Sequence, residues 1–368
     1  MLLRKYVDQM FVNFLLGLAM CLIFISASEK TAKAFVTIAL RCPMDRNPNN
    51  PTFLSGTNCS VFVTYSGSYA KKATIKIGGE TVFSQEFSLF SPVPYWGKTI
   101  YFDSTHFSDD TNVVCEFTME TYGTLPFETS KSAKTYNKSA IYGRNEWEHP
   151  WLGIDIGTKG ATTAKPILQS MNQDVSKFSD GGWSKANILN DIASCTTFYV
   201  NTHGDNPPTY FYDDYGPGTP SGAHGVKVYP SDVQFRRASI SSQQKIPLIG
   251  IAFIDACKTG ADNAFALAFL YPYTTYTNGI TTNQAEVGWN ASPDADTSEL
   301  SSSTFWTHLK NGDTADQARM ATVREVFPNL GNDVARRDTL RCYGDYFATL
   351  HRVYTANNTI PQNVWYWY

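Results

Sequence analysis

The sequence predicts an α/β domain, built on a mostly parallel sheet with helices on both faces, preceded by an all-β sandwich. Two hydrophobic runs carry the first half of that reading. Residues 196–204 (TTFYVNTHG) and 247–260 (PLIGIAFIDACKTG) are continuous apolar, β-branched and aromatic stretches of strand length. That is how strands buried on both faces of a parallel sheet read. Helical patterns lie between and after them, and alternating strands and helices make a parallel sheet covered on both sides. The second half rests on residues 35–128, where short β-rich runs recur between Pro, Gly, Asn and Ser clusters.

Residues 1–34 combine Arg4 and Lys5, an apolar run at 14–27 and the small-residue ending Ala32-Lys33-Ala34. These are the three parts of a secretory signal peptide. The apolar run falls short of the roughly 20 residues that span a bilayer, although an uncleaved anchor is the alternative. The mature chain is thus expected to be secreted or at the cell surface, with no membrane contact after cleavage. A formal net charge of −3 and a pI near 6.1 give no basic footprint, so nucleic acid is not an expected partner.

Within the sandwich the predicted strands are 36–40, 59–65, 74–77, 81–87, 99–102 and 112–120, with a hairpin turn at Gly78-Gly79. The order Arg41-Cys42-Pro43, Leu54-Ser55-Gly56-Thr57, Ile77-Gly78-Gly79 and Tyr122-Gly123 resembles the immunoglobulin-like modules of exported bacterial proteins. After the leader the cysteines are 42, 59, 115, 195, 257 and 342. Cys59 and Cys115 lie in alternating segments whose inward positions face one another across a two-sheet sandwich, which makes them the expected pair. The polar stretch 129–148, with Lys131, Lys134 and Lys138, reads as a linker and as a place where a precursor could be nicked.

Residues 149–368 form the predicted α/β domain, with a strand at 152–156 and helices at 166–171 and 184–192, the latter capped by Ser184. A long Pro-, Gly- and Tyr-rich loop, 205–227, leaves the first hydrophobic strand, and a helix starting at Ser231 or Asp232 leads into the second. A helix at 261–270, a strand at 285–289 and helices at 298–311 and 314–326 follow.

Each of the two hydrophobic strands stops on a reactive residue, the first at His203-Gly204 and the second at Ala256-Cys257. Carboxyl ends of adjacent strands are where open α/β sheets do their chemistry. Singly, a strand-end cysteine is ordinarily core and a histidine before glycine ordinarily a turn residue. Their joint placement makes His203 and Cys257 a candidate dyad of thiol nucleophile and acid–base.

A hydrophobic block ending in His-Gly, then one ending in Ala-Cys, resembles the cysteine peptidases of the caspase, legumain, clostripain and gingipain group. The spacing of 54 residues between His203 and Cys257 is similar to the caspase spacing of about 50. The caspase Gln-Ala-Cys-x-Gly signature is met in part, since Asp255 stands for Gln and Gly260 comes one residue late. Residues 341–354 (RCYGDYFATLHRVY) resemble the Tyr-Gly-Asp segment that closes gingipain-like domains.

The resemblance implies a caspase-like fold and a cysteine endopeptidase acting on a protein or peptide substrate through an acyl-enzyme, with no obligatory third acid. Gly204 would bring its N–H to the oxyanion together with that of Cys257. Asp255 reads as a strand-end cap or a substrate-loop carboxylate. The helix at 261–270 would set its amino end beside the sulfur and lower the thiol pKa. In the loop after Trp289 (NASPDADTSELSSS), Asp294 and Asp296 are the candidates for attracting a substrate Lys or Arg. A catalytically silent interaction module and a transpeptidase are the alternatives. No zinc-type Cys and His spacing occurs, and neither metal nor cofactor is expected.

Overall fold

The computed structural model describes residues 34–45, 47–67, 69–89, 93–143, 160–180, 183–212, 226–241, 248–270, 283–294, 297–351 and 364–366. The expected signal peptide (but for Ala34) and the strand at 152–156 lie outside the described residues. The chain is mixed α/β, with seven α-helices among the described residues and one sheet dominated by parallel strands. Among the described residues no helix is long and apolar enough to cross a membrane.

The first eight strands are β1 (Phe35–Arg41), β2 (Phe53–Leu54), β3 (Cys59–Ser66), β4 (Ala70–Ile77), β5 (Glu80–Glu86), β6 (Tyr95–Phe102), β7 (Asn112–Thr121) and β8 (Phe127–Thr135). They divide into two sheets. One has the order β1-β3-β6, the other β2-β8-β7-β4-β5. Alternate residues of both sheets meet in one core, with Val61, Val63, Tyr65 and Trp96 from the first against Ile75, Cys115, Phe117 and Met119 from the second. The inward positions follow the period of two that a pleated strand imposes.

The polar stretch expected to be a linker is strand over most of its described length. In β8, Glu128, Ser130, Ser132 and Lys134 face solvent while Phe127 and Ala133 pack on the shared core. Among the described residues its only strand neighbour besides β7 is the two-residue β2, so β8 is largely an edge there, and exposed charges and hydroxyls suit an edge. After a short turn, β9 (Lys138–Gly143) already belongs to the next sheet.

That sheet has the order β10-β9-β11-β15-β16-β17, made with β10 (Asp174–Asp180), β11 (Thr197–Asn201), β15 (Ile251–Asp255), β16 (Ala285–Trp289) and β17 (Leu340–Gly344). Every pairing is parallel except that of β17 with β16. The central strands are buried on both faces, as their unbroken apolar composition predicts. On one face Tyr199, Phe253, Val287 and Trp289 pack under α1 (Gly160–Gln169), α5 (Ser298–Lys310) and α6 (Ala315–Val326). On the other, Phe198, Val200, Ala252 and Ile254 pack under α2 (Lys185–Ile192), α3 (Pro230–Ser241) and α4 (Ala264–Phe269). A seventh helix, α7 (Asp333–Thr339), precedes β17.

Three expectations need correction. The first helix starts at Gly160, so Pro166 lies inside it and does not open it. The helix expected from residue 261 begins at Ala264, because residues 256–263 form turns. The chain end returns to the first unit: β18 (Val364–Tyr366) pairs antiparallel with β6, so residues 149–368 do not make up one separate domain.

The two units are also joined along a polar and apolar seam. Leu248 N–H donates to Met44 O at 3.0 Å, and both side chains belong to the sandwich core. Thr57 and Thr349 hydroxyls meet at 2.7 Å. Asn172 Nδ2 donates to Thr105 O at 2.7 Å, and the Thr105 hydroxyl meets His351 Nδ1 at 2.8 Å.

Candidate active site

β11 and β15 run parallel in a register that sets Asn201 against Asp255, the last residue of each strand. Thr202 N–H adds one more bond, to Asp255 O at 3.2 Å. There the first strand breaks. His203 opens β12 (His203–Asp205), which pairs with β13 (Tyr210–Tyr212) in a small antiparallel sheet completed by β14 (Lys227–Val228). The His203 ring stacks on Tyr212, centroids 5.2 Å apart and planes 20° apart. Sequence alone gave one continuous strand to Gly204, and the break turns His203 out of the buried sheet to a half-exposed position.

Cys257 leaves β15 two residues after Asp255, as His203 leaves β11 two residues after Asn201. The turn behind it is fastened to the next strand end: Lys258 N–H donates to Ala291 O at 3.0 Å and Gly260 N–H to Trp289 O at 2.8 Å. Lys258 takes a φ of 58°, in the left-handed region. Gly204 lies directly against this turn, since a Cβ built on it would stand 2.4 Å from Cys257 O and 2.8 Å from Thr259 Cγ2. Only a residue without a side chain fits so close an approach.

The two candidate residues line one cleft of about 120 Å³ together with Asn201, Thr202, Asp255, Pro293, Asp294 and Ser298. Burial raises the Cys257 thiol pKa, and the charge of Asp255 adds to this. A hydrogen bond with Ser292, its own backbone N–H and the charge of Lys258 pull the other way. The expected lowering by a helix dipole is absent, because α4 begins seven residues beyond the sulfur and spans only six residues. Cys257 is therefore a thiol at rest, and a base must take its proton.

Asp255 is a structural tie buried beneath the cleft. Its carboxylate accepts from Trp289 Nε1 at 2.7 Å, Tyr199 Oη at 2.9 Å, Asn201 Nδ2 at 2.9 Å and Ser301 Oγ at 3.2 Å. These donors come from β16, β11 and α5, so one side chain holds three elements at the strand ends. Burial pushes its pKa up to about 6 against the four hydrogen bonds. Nothing in the local sequence announces four partners, although an acid two residues before a strand-end cysteine is a visible flag.

Asp294 is exposed on the cleft rim, where its backbone carbonyl accepts from Thr297 N–H at 3.0 Å and Thr297 Oγ1 at 2.6 Å. Asp296 lies outside the described residues. On the opposite side Lys258 Nζ approaches Asp205 at 3.8 Å, and Asp262 accepts from Asn206 and Thr209, pinning the hairpin that carries His203. The structure thus brings His203, Cys257 and Asp294 around one cleft, with Gly204 against the turn that carries Cys257. Among the described residues no three His, Cys, Asp or Glu side chains converge as metal ligands. No protein-family model matches the chain, and no curated protein does either.

Proposed function

We propose that this chain is a cysteine endopeptidase, with Cys257 as nucleophile and His203 as acid–base, acting on peptide bonds of an exported or cell-surface substrate. One observation carries the reading: a half-buried thiol and an imidazole line the same cleft at the carboxyl ends of adjacent parallel strands. In this reading the six-stranded unit is caspase-like or gingipain-like and the two-sheet unit immunoglobulin-like, the latter serving as a packing domain.

The chemistry follows from the residue types. His203 takes the thiol proton, and the sulfur attacks the scissile carbonyl to give a tetrahedral oxyanion. In this reading the N–H groups of Gly204 and Cys257 serve as the donors to that oxygen, and one such donor is worth roughly 100-fold in rate or more. His203 then returns its proton to the departing amine, which leaves a thioester on Cys257. Water, activated by His203, hydrolyses the thioester and restores the thiol.

A peptide carrying a thiol-reactive electrophile tests the reading. Labelling should map to Cys257, and Cys257→Ala should abolish labelling and turnover while the unfolding midpoint stays put. His203→Ala should reduce amide cleavage far more than cleavage of an activated thioester, whose leaving group needs no proton. Undiminished turnover by Cys257→Ala would falsify the assignment.

A further inference from the structure

We propose that Cys42 and Cys59 close as a cross-strand disulfide within the two-sheet unit, and that this bond stiffens the segment through which that unit contacts the foot of the parallel sheet. All six described cysteines stand as thiols in the structure. Three observations single out these two. The β1–β3 ladder ends with Arg41 opposite Ser60, and one further step in the same register sets Cys42 opposite Cys59. Directly opposed antiparallel residues have Cα atoms about 4.5–5.5 Å apart, inside the 4.4–6.8 Å span that a disulfide bridges.

The sulfurs also converge on one backbone unit. Ser55 N–H donates to Cys42 Sγ at 3.3 Å, and both thiols reach Ser55 O, Cys42 at 3.5 Å and Cys59 at 3.4 Å. Each thiol is close enough to perturb the ionisation of the other. Finally, both are fully buried in the same core, where a bond once made is shielded from reductants. The pair expected from alternation, Cys59 with Cys115, shares that core, but it is Cys42 that reaches the same Ser55 carbonyl as Cys59. Cys115, Cys195 and Cys342 are buried on β7, before β11 and on β17.

The bond forms by exchange with a disulfide donor, a small-molecule disulfide or the oxidised dithiol of an oxidoreductase. One cysteine thiolate attacks the donor S–S bond and expels one donor thiol. The second thiolate attacks the mixed disulfide and expels the other. Two cysteine S–H bonds and one donor S–S bond are lost; one Cys42–Cys59 bond and two donor S–H bonds are gained. Because both thiols are buried, the exchange belongs to folding. The closed segment carries Met44 and Thr57, which touch Leu248 and Thr349 in the seam. Oxidation should thereby stiffen the support under β15, the strand that leads into Cys257.

The test is refolding of the full chain in a buffer of oxidised and reduced glutathione, followed by alkylation in denaturant and peptide mapping. The expected result is a linked Cys42–Cys59 peptide, with Cys257 alkylated. The unfolding midpoint should rise by about 5 °C over the reduced protein, and Cys115→Ala should keep that rise while Cys42→Ala with Cys59→Ala loses it. Linkage of Cys59 to Cys115, or full alkylation of Cys42 and Cys59, overturns the proposal. The result is independent of peptidase activity, which is read separately on the Cys257 peptide.

Discussion

The Asn201 amide donates to the Asp255 carboxylate at 2.9 Å and reaches the Asp255 backbone carbonyl at 3.4 Å. This contact ties β11 to β15 at the register step from which His203 and Cys257 depart. The candidate chemistry thus rests on a buried polar network under it, in which the Asp255 carboxylate is satisfied by four donors while Asn201 Oδ1 has no partner among the described residues.

Removing the acid should be costly. Asp255→Ala strands four buried donors and should destabilise the fold by about 3–5 kcal/mol. Asp255 is also raised from 3.8 to about 6 in the folded chain, so the folded state binds its proton more tightly than the unfolded one. The associated stability is present below about pH 4 and is lost as pH rises through about 6, amounting to roughly 2–3 kcal/mol. Urea midpoints for wild type and Asp255→Asn between pH 4 and 7 should show wild type losing ground to the variant as pH rises. A constant difference would contradict the shift.

Gly204→Ala tests the close approach of the two strand-end turns. The new Cβ would stand 2.4 Å from Cys257 O, and backbone cannot yield as a flexible side chain does. The turn holding Cys257 should move, and labelling of Cys257 should slow by about 100-fold, the scale of a misplaced oxyanion donor. Labelling at the wild-type rate in a folded variant would remove Gly204 from the site.

Cys257 alkylation should report its raised pKa. With the thiol held above its ordinary value by burial and by Asp255, the rate with iodoacetamide should climb about tenfold per pH unit from 7 to 9. Asp255→Asn should speed alkylation at pH 7.5 by removing a like charge. A plateau below pH 8 in the wild type would show instead a thiolate already formed.

What the sequence makes legible follows from how local each signal is. The strands at Thr197–Asn201, Ile251–Asp255 and Ala285–Trp289 stand out because burial on both faces demands an unbroken apolar run. Helix starts at Ser184 and Thr314 are equally plain, since their side chains cap Asn187 and Gln317 within one turn. β8 was hidden because an edge strand with one wet face has the Lys and Ser content of a linker. The break at Thr202, the four partners of Asp255 and the meeting of Cys42 with Cys59 depend on elements far apart in the chain. Pro166 misled for the opposite reason, as packing kept it inside a helix whose start its local preference would have claimed.

Asp294 should have a modest influence on specificity. It stands exposed on the rim, and a solvated acid contributes about 1 kcal/mol or less to pairing with a substrate cation. Among peptides differing only in the residue before the scissile bond, Arg and Lys should be preferred, and Asp294→Asn should reduce that preference by about fivefold at most. A preference for Asp or Asn, or a uniform rate loss for every peptide, would remove Asp294 from the recognition of that residue.

Truncation distinguishes a packing domain from a detachable spacer. A chain starting at Ser139 would open β9 at its second residue, and β9 lies between β10 and β11 in the parallel sheet. It would also strip Met44 from Leu248, Thr57 from Thr349, and the Thr105 contacts from Asn172 and His351. The exposed seam lies at the foot of β15 and β16, beside Gly250 and Asn283, which line one small cavity with Met44 and Gly56. Such a chain should fail to unfold cooperatively and should lose Cys257 labelling, even though no candidate residue has been removed. Co-expression of the two pieces should recover some of both, because the seam and the sheet pairings can reform between separate chains. A soluble truncation with a sharp thermal transition and wild-type labelling would show that the seam is dispensable and that the parallel sheet closes without it.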